Sequence, residues 1–168
     1  MSKLFSGLWN QILKPMFRRP PRRQVAALCW REPASAPGSA PEVLLISSRG
    51  TGRWILPKGW PIRGLDLPRS ALQEAWEEAG VIPVDAPAVP VGRFASRKVS
   101  DSGLAEPSEV AVFSAQVLAL ADDYPELGQR QRRWASPDEA AELVDEAGLA
   151  ELILEFGRRH PSGSRAVG

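Results

Sequence analysis

GWPIRGLDLPRSALQEAWEEAGV, residues Gly59 to Val81, is the segment from which the architecture can be inferred. It opens as a tight Gly/Pro loop and continues as a short helix. Asp66 suits the N-cap, Pro68 the first turn and Gly80 the position just past the C-terminus. Ala71, Leu72, Ala75, Trp76 and Ala79 supply a packing side. Glu74, Glu77 and Glu78, spaced i, i+3, i+4, share the other face. Three adjacent carboxylates repel one another, so such a face costs stability unless a cation sits among them. Hard oxygen donors of this kind suit Mg²⁺ or Mn²⁺. A solvated acidic face is the commoner fate of a Glu-Glu pair. Pro57-Lys58-Gly59, following an apolar strand, tips the balance toward a site.

The order and spacing resemble the Nudix box: Gly, five residues, Glu, seven residues, Arg-Glu, an aliphatic, any residue, Glu-Glu, any residue, Gly, an aliphatic. Gly59, Glu74, Ala75, Glu77, Glu78, Gly80 and Val81 fall in register. Leu65 stands where the first Glu belongs and Gln73 where the Arg belongs. In the family those two brace loop against helix while the later glutamates hold metal. Here both are replaced together, which leaves neither charge uncompensated.

On the N-terminal side, Gln24–Arg31 (QVAALCWR) reads as a buried strand. A Pro/Ala/Ser/Gly loop links it to a second, Glu42–Arg49 (EVLLISSR), as an antiparallel pair. Arg53–Pro57 leads into the box. On the C-terminal side, Val89–Val99 is a strand, Ser100–Ser108 a polar loop and Glu109–Leu120 a long apolar strand. The segment from Tyr124 through Trp134 reads as irregular. Ser136-Pro137-Asp138-Glu139 starts a helix running to about Ala147. Gly148 is expected to break it, with a last helix from Leu149 to Arg158. Mixed strands with a helix after the third and a helical C-terminus make an α+β domain. The resemblance implies an αβα sandwich with a mixed central sheet over residues 22–158.

The 168-residue chain is long enough for one domain with a real core. Six basic residues and no acid lie in residues 1–23, so the rest of a +1 chain carries −5. That distribution argues against a surface that coats a nucleic acid polymer. Cys29, the single cysteine, sits in an apolar run and cannot form an internal disulfide. A reducing, cytoplasmic setting is the expectation. No apolar run approaches the roughly 20 residues that span a bilayer. Residues 1–21 have helical apolar spacing (Leu4, Leu8, Ile12, Met16) beside the basic residues. This extension is expected to pack on the domain or hang from it, with contact to an anionic membrane as the alternative. Residues 159–168, including the lone His160, read as a disordered tail.

The flanks Arg22-Arg23, EVLLISSR, Arg53–Gly59 and Glu126…Arg130…Trp134 look like the diphosphoinositol polyphosphate phosphohydrolase branch. The resemblance implies a magnesium-dependent hydrolase cleaving phosphoanhydrides of diphosphoinositol or diadenosine polyphosphates, as monomer or homodimer. By box position it implies Glu74, Glu78 and the Lys58 carbonyl as metal ligands and Glu77 as general base. Highly phosphorylated substrates need several cations, and guanidinium forks suit them. The candidates are Arg22, Arg23, Arg49, Lys58, Arg97, Arg130 and Arg132, with hydroxyls from Ser47 and Ser48. Glu109 or Glu126 is a candidate further carboxylate. Two alternatives accompany this expectation: an ADP-ribose or nucleotide-sugar pyrophosphatase, and a Nudix-fold binding module without catalysis.

Overall fold

The computed structural model describes residues 22–84, 88–99 and 105–160. The expectations for the N-terminal extension, and for the tail beyond His160, fall outside these residues. The strands are β1 (Arg22–Arg31), β2 (Glu42–Ser47), β3 (Trp54–Ile55), β4 (Lys58–Gly59), β5 (Val81–Pro83), β6 (Val89–Val99), β7 (Ala105–Leu120) and β8 (Arg132–Ala135). The helices are α1 (Leu67–Ala79), α2 (Pro137–Leu143) and α3 (Ala147–Arg159).

The sheet runs β3-β2-β1-β7-β5, with β4 on β1, β6 on β7 and β8 on β2. β1 and β7 are parallel, in register from Arg22 opposite Ser108 to Trp30 opposite Gln116. The other pairings are antiparallel, so the sheet is mixed as expected.

Both faces of β1 are covered, which explains its unbroken apolar run. Val25, Ala27 and Cys29 join Leu44 and Ile46 in packing against Ala71, Ala75 and Ala79 of α1. The alternate residues Ala26 and Leu28 join Val43 and Leu45 in a second core with Leu149, Ile153 and Phe156 of α3. This is the αβα sandwich. Cys29 is fully enclosed, and burial pushes its thiol up to about 12, so it is an inert core residue.

The structure corrects several element boundaries. Residues 105–108, expected in a polar loop, already belong to β7. β4 and β5 are too short to carry a periodic signal. β8, read as irregular, is ordered by its pairing along β2 from Val43–Ala135 to Ile46–Arg132. The break between the last helices falls at Val144, whose extended backbone ends α2, and not at Gly148. Gly148 lies inside α3, where a Cβ would come 3.0 Å from that of Phe94, so its smallness lets α3 approach β6. His160, read with the tail, stacks on Phe156 at 4.2 Å between ring centroids.

Candidate active site

The loop before α1 and the strand β4 aim the box at one cleft. Asp66 caps α1 by accepting from the Arg69 N–H at 2.8 Å, and the Ser70 hydroxyl accepts from the Ile62 N–H at 3.0 Å. Gly80, at φ 66°, ends the helix in the left-handed conformation. Val25 and Ala26 of β1 pair with Gly59 and Lys58, which pins the loop across the start of the central strand.

Glu78 is the most deeply set carboxylate. Its Oε2 accepts from the Lys58 backbone N–H at 3.0 Å, and its Oε1 pairs with the Arg130 guanidinium. Arg130 also donates from Nε to Glu126 at 2.8 Å and from Nη1 to the Ser47 carbonyl at 3.2 Å. The Arg130 and Glu78 side chains are only 6% and 8% exposed, so this pair lies out of water. Burial raises the Glu78 carboxyl to about 7, with help from Glu126 and Glu74; the Lys58 N–H and Arg130 oppose the rise without cancelling it. Glu74 lies against Gly59, where an added Cβ would fall 2.2 Å from its carboxyl carbon. Its carboxyl is also raised, first by burial and then by Glu77 and Glu126, against the opposing pull of Arg130.

Glu74, Glu78 and Glu126 line a cleft of about 710 Å³. Among the expected substrate residues, Ser48, Arg49, Lys58, Arg97 and Arg130 line it as well. Lys58 Nζ reaches Gln24 at 3.5 Å, and Arg49 lies 3.6 Å from Glu126. Glu77 is not among the lining residues; its Oε1 accepts from the Gln73 amide at 2.7 Å. The residue standing at the family's Arg position thus braces a glutamate within the helix. Arg22 and Arg23 are exposed at the start of β1, with the Arg22 guanidinium 5.5 Å from the Trp60 ring centroid. The Ser47 hydroxyl accepts from the Gln131 N–H and lies off the cleft. Arg132 bonds the carbonyls of Ala79 and Ala121 and packs over Tyr124, so it fastens the end of α1 to the sheet. Glu109 pairs with Arg93 away from the cleft, leaving Glu126 as the additional carboxylate.

Other lining residues carry little signal in the sequence. Gln24 hides in the apolar run of β1, and Ser96 looks like an ordinary strand serine. Asp145 and Glu146 arrive on the link between α2 and α3, where no periodicity marks them.

The donors suit a hard divalent cation: glutamate oxygens of raised pKa, close enough to disturb one another. As they stand, no three His, Cys, Asp or Glu side chains among the described residues are grouped to hold a metal ion. The Arg130 guanidinium, paired to both Glu78 and Glu126, places a positive charge among them.

No family model matches the chain. Nudix hydrolase 12, mitochondrial, of Arabidopsis thaliana is 32% identical over 121 residues, 70% of this chain and 59% of that protein. The chain therefore spans less than two thirds of that relative's length. Among solved structures, a NUDIX hydrolase from Nitrosomonas europaea superposes with a TM-score of 0.60 at 20% identity, over 86% of this chain and 94% of that one. A C. elegans Ap4A hydrolase gives 0.58 at 19% identity, over 83% and 98%. With Glu74 and Glu78 of the box set in the cleft against β4, and the fold and a relative in agreement, the chain belongs to the Nudix superfamily.

Proposed function

We propose that the protein is a metal-dependent hydrolase of phosphoanhydride bonds in polyphosphorylated small molecules, diphosphoinositol or diadenosine polyphosphates. The observation that carries this reading is the set of inward glutamates, Glu74 and Glu78 with Glu126, in a cleft that also holds Arg49, Lys58 and Arg97. Attack on an anhydride crowded with negative charge needs that charge neutralised and a water deprotonated.

Glu74, Glu78, Glu126 and the Lys58 carbonyl would hold Mg²⁺ or Mn²⁺. The ion, when bound, supplies a Lewis acid for phosphoryl oxygens and lowers the pKa of coordinated water. Arg49, Lys58 and Arg97 hold the phosphate chain. Glu77 is the base assigned by box position, kept in orientation by Gln73. A specific observation favours Glu74 as the competing base, in which case Glu78, Glu126 and the Lys58 carbonyl remain as the ligand set: Glu74 lines the cleft, whereas Glu77 does not.

The experiment is Mg²⁺-dependent product release from diadenosine polyphosphates, diphosphoinositol polyphosphates, ADP-ribose and nucleoside triphosphates, with Glu74→Gln, Glu77→Gln and Glu78→Gln in parallel. Turnover of one of the two named classes, abolished by the substitutions, is expected. The variant that loses kcat with metal binding intact identifies the base. Wild-type protein that binds metal but turns over no substrate overturns the enzyme reading in favour of a binding module.

A further inference from the structure

One guanidinium bridges two of the carboxylates assigned to the metal. Arg130 donates from Nε to Glu126 Oε2 at 2.8 Å, and its Nη2 pairs with Glu78 Oε1. These carboxylates come from separate parts of the chain, α1 and the segment leading to β8, and they meet on this one cation. Arg130 and Glu78 are both buried, so water does little to screen the contact. Arg49, also near Glu126, is exposed and lies 3.6 Å away.

The bridge explains how the fold tolerates its inward glutamates. Glu74, Glu78, Glu126 and Arg130 line the cleft together with a formal charge of −2. Without the guanidinium that charge would be −3, and burying like charges without a counter-ion is costly. A hard divalent cation seeks the same carboxylate oxygens. Two cations crowded onto those oxygens would repel each other, so one must yield. Two further contacts let Arg130 yield without dismantling the site. Glu78 Oε2 accepts from the Lys58 N–H at 3.0 Å, so β4 keeps this carboxylate aimed when Oε1 is released. Arg130 Nη1 donates to the Ser47 carbonyl at 3.2 Å, a partner on β2 apart from the carboxylates.

Resting on the metal-dependent part of the hydrolase reading, we propose that Arg130 and the divalent cation compete for Glu78 and Glu126. Arg130 is thus a positioning residue. It gathers the two carboxylates, gives them up to the metal, and weakens metal binding by the cost of its own displacement.

The test is Mg²⁺ titration of the full chain without substrate, read by NMR and by calorimetry. In the wild type, the Nε–H resonance of Arg130 is expected to leave its hydrogen-bonded position as Mg²⁺ binds, because the bond to Glu126 is given up. Arg130→Gln is expected to bind Mg²⁺ more tightly by about tenfold or more, since a positive charge beside the ion is gone. Arg130 also lowers the Glu78 carboxyl, so its loss favours the competing proton; the calorimetry is therefore run at about pH 9. A purely structural guanidinium predicts the opposite sign, because loosened ligands hold metal more weakly. An Arg130 resonance unmoved at saturating Mg²⁺, or a variant that binds no more tightly, overturns the proposal. If the variant does not fold, the wild-type resonance decides alone. Mg²⁺ binding by neither protein overturns this proposal and the metal-dependent reading together. Displacement of Arg130 and tighter binding by the variant, with no turnover of any substrate, support the competition and count against the hydrolase reading alone.

Discussion

Glu78 shows how one side chain links burial to cation binding. Its carboxyl is raised to about 7, above the ordinary 4.5, so below that pH the fold favours its protonated form. A raised acid contributes stability that is fully present below its unfolded value and is lost as pH rises through the folded one. Below about 7 a divalent cation must displace that proton; above it the competition disappears. Mg²⁺ is therefore expected to raise Tm more at pH 8.5 than at pH 6. A shift independent of pH, or larger at pH 6, would remove Glu78 from the ligand set. Gly59 tests the neighbouring carboxylate. Alanine there would put a Cβ 2.2 Å from the Glu74 carboxyl carbon, and the flexible side chain must turn away. Gly59→Ala should keep its Tm within a few degrees yet lose roughly 10–100-fold in metal affinity or turnover, as for other changes that misorient a ligand. Wild-type metal affinity would show that the Glu74 position is immaterial. Glu74 and Glu78 were legible in the chain, since box spacing fixes which way they project from α1. Arg132, which ties the end of α1 to the Ala121 carbonyl, was not, because a surface arginine and a structural one look alike in a sequence.

α1 is the element on which the site depends, and its ends were legible because capping is local chemistry. Asp66 and Gly80 do what their residue types do at helix termini. Gly80→Ala should destabilise by at least about 1–2 kcal/mol, the usual cost of a left-handed L-residue. A Cβ there also meets the Tyr124 ring at 2.6 Å. Urea unfolding would show a lower midpoint at unchanged slope; an unchanged midpoint would mean that the chain turns differently after Ala79. Other elements were less legible. β8 carries two arginines and a tryptophan in four residues, and only its bonds to β2 make it a strand. Gly148 looked like a breaker because glycine weakens helices by backbone entropy. Contact between α3 and β6 offsets that cost, since a Cβ at Gly148 would come 3.0 Å from that of Phe94 and push the helix or the ring aside.

Across the whole molecule, the sandwich holds the cleft rigid from behind. Ile153 is fully buried where α3 closes the second core over Ala26, Leu28 and Leu45. Ile153→Ala should cost roughly 2–5 kcal/mol, the range for emptied core positions. Denaturant unfolding checks it, and a cost below about 1 kcal/mol would mean that α3 is a loose cover and not part of the cooperative core. The class of fold, the buried strand β1, the capped helix and the row of glutamates could all be read from the chain alone. Each of these is written in spacing or in local hydrogen bonding, which a chain carries along its length. It took the folded molecule to bring Glu126, Gln24, Asp145 and Glu146 into one cleft with Glu74 and Glu78, to send Arg130 there and not Arg132, and to turn Glu77 to Gln73. Those outcomes depend on which distant segments the parallel β1–β7 pairing and the α2–α3 link bring together, and long-range pairing leaves no periodic trace in sequence.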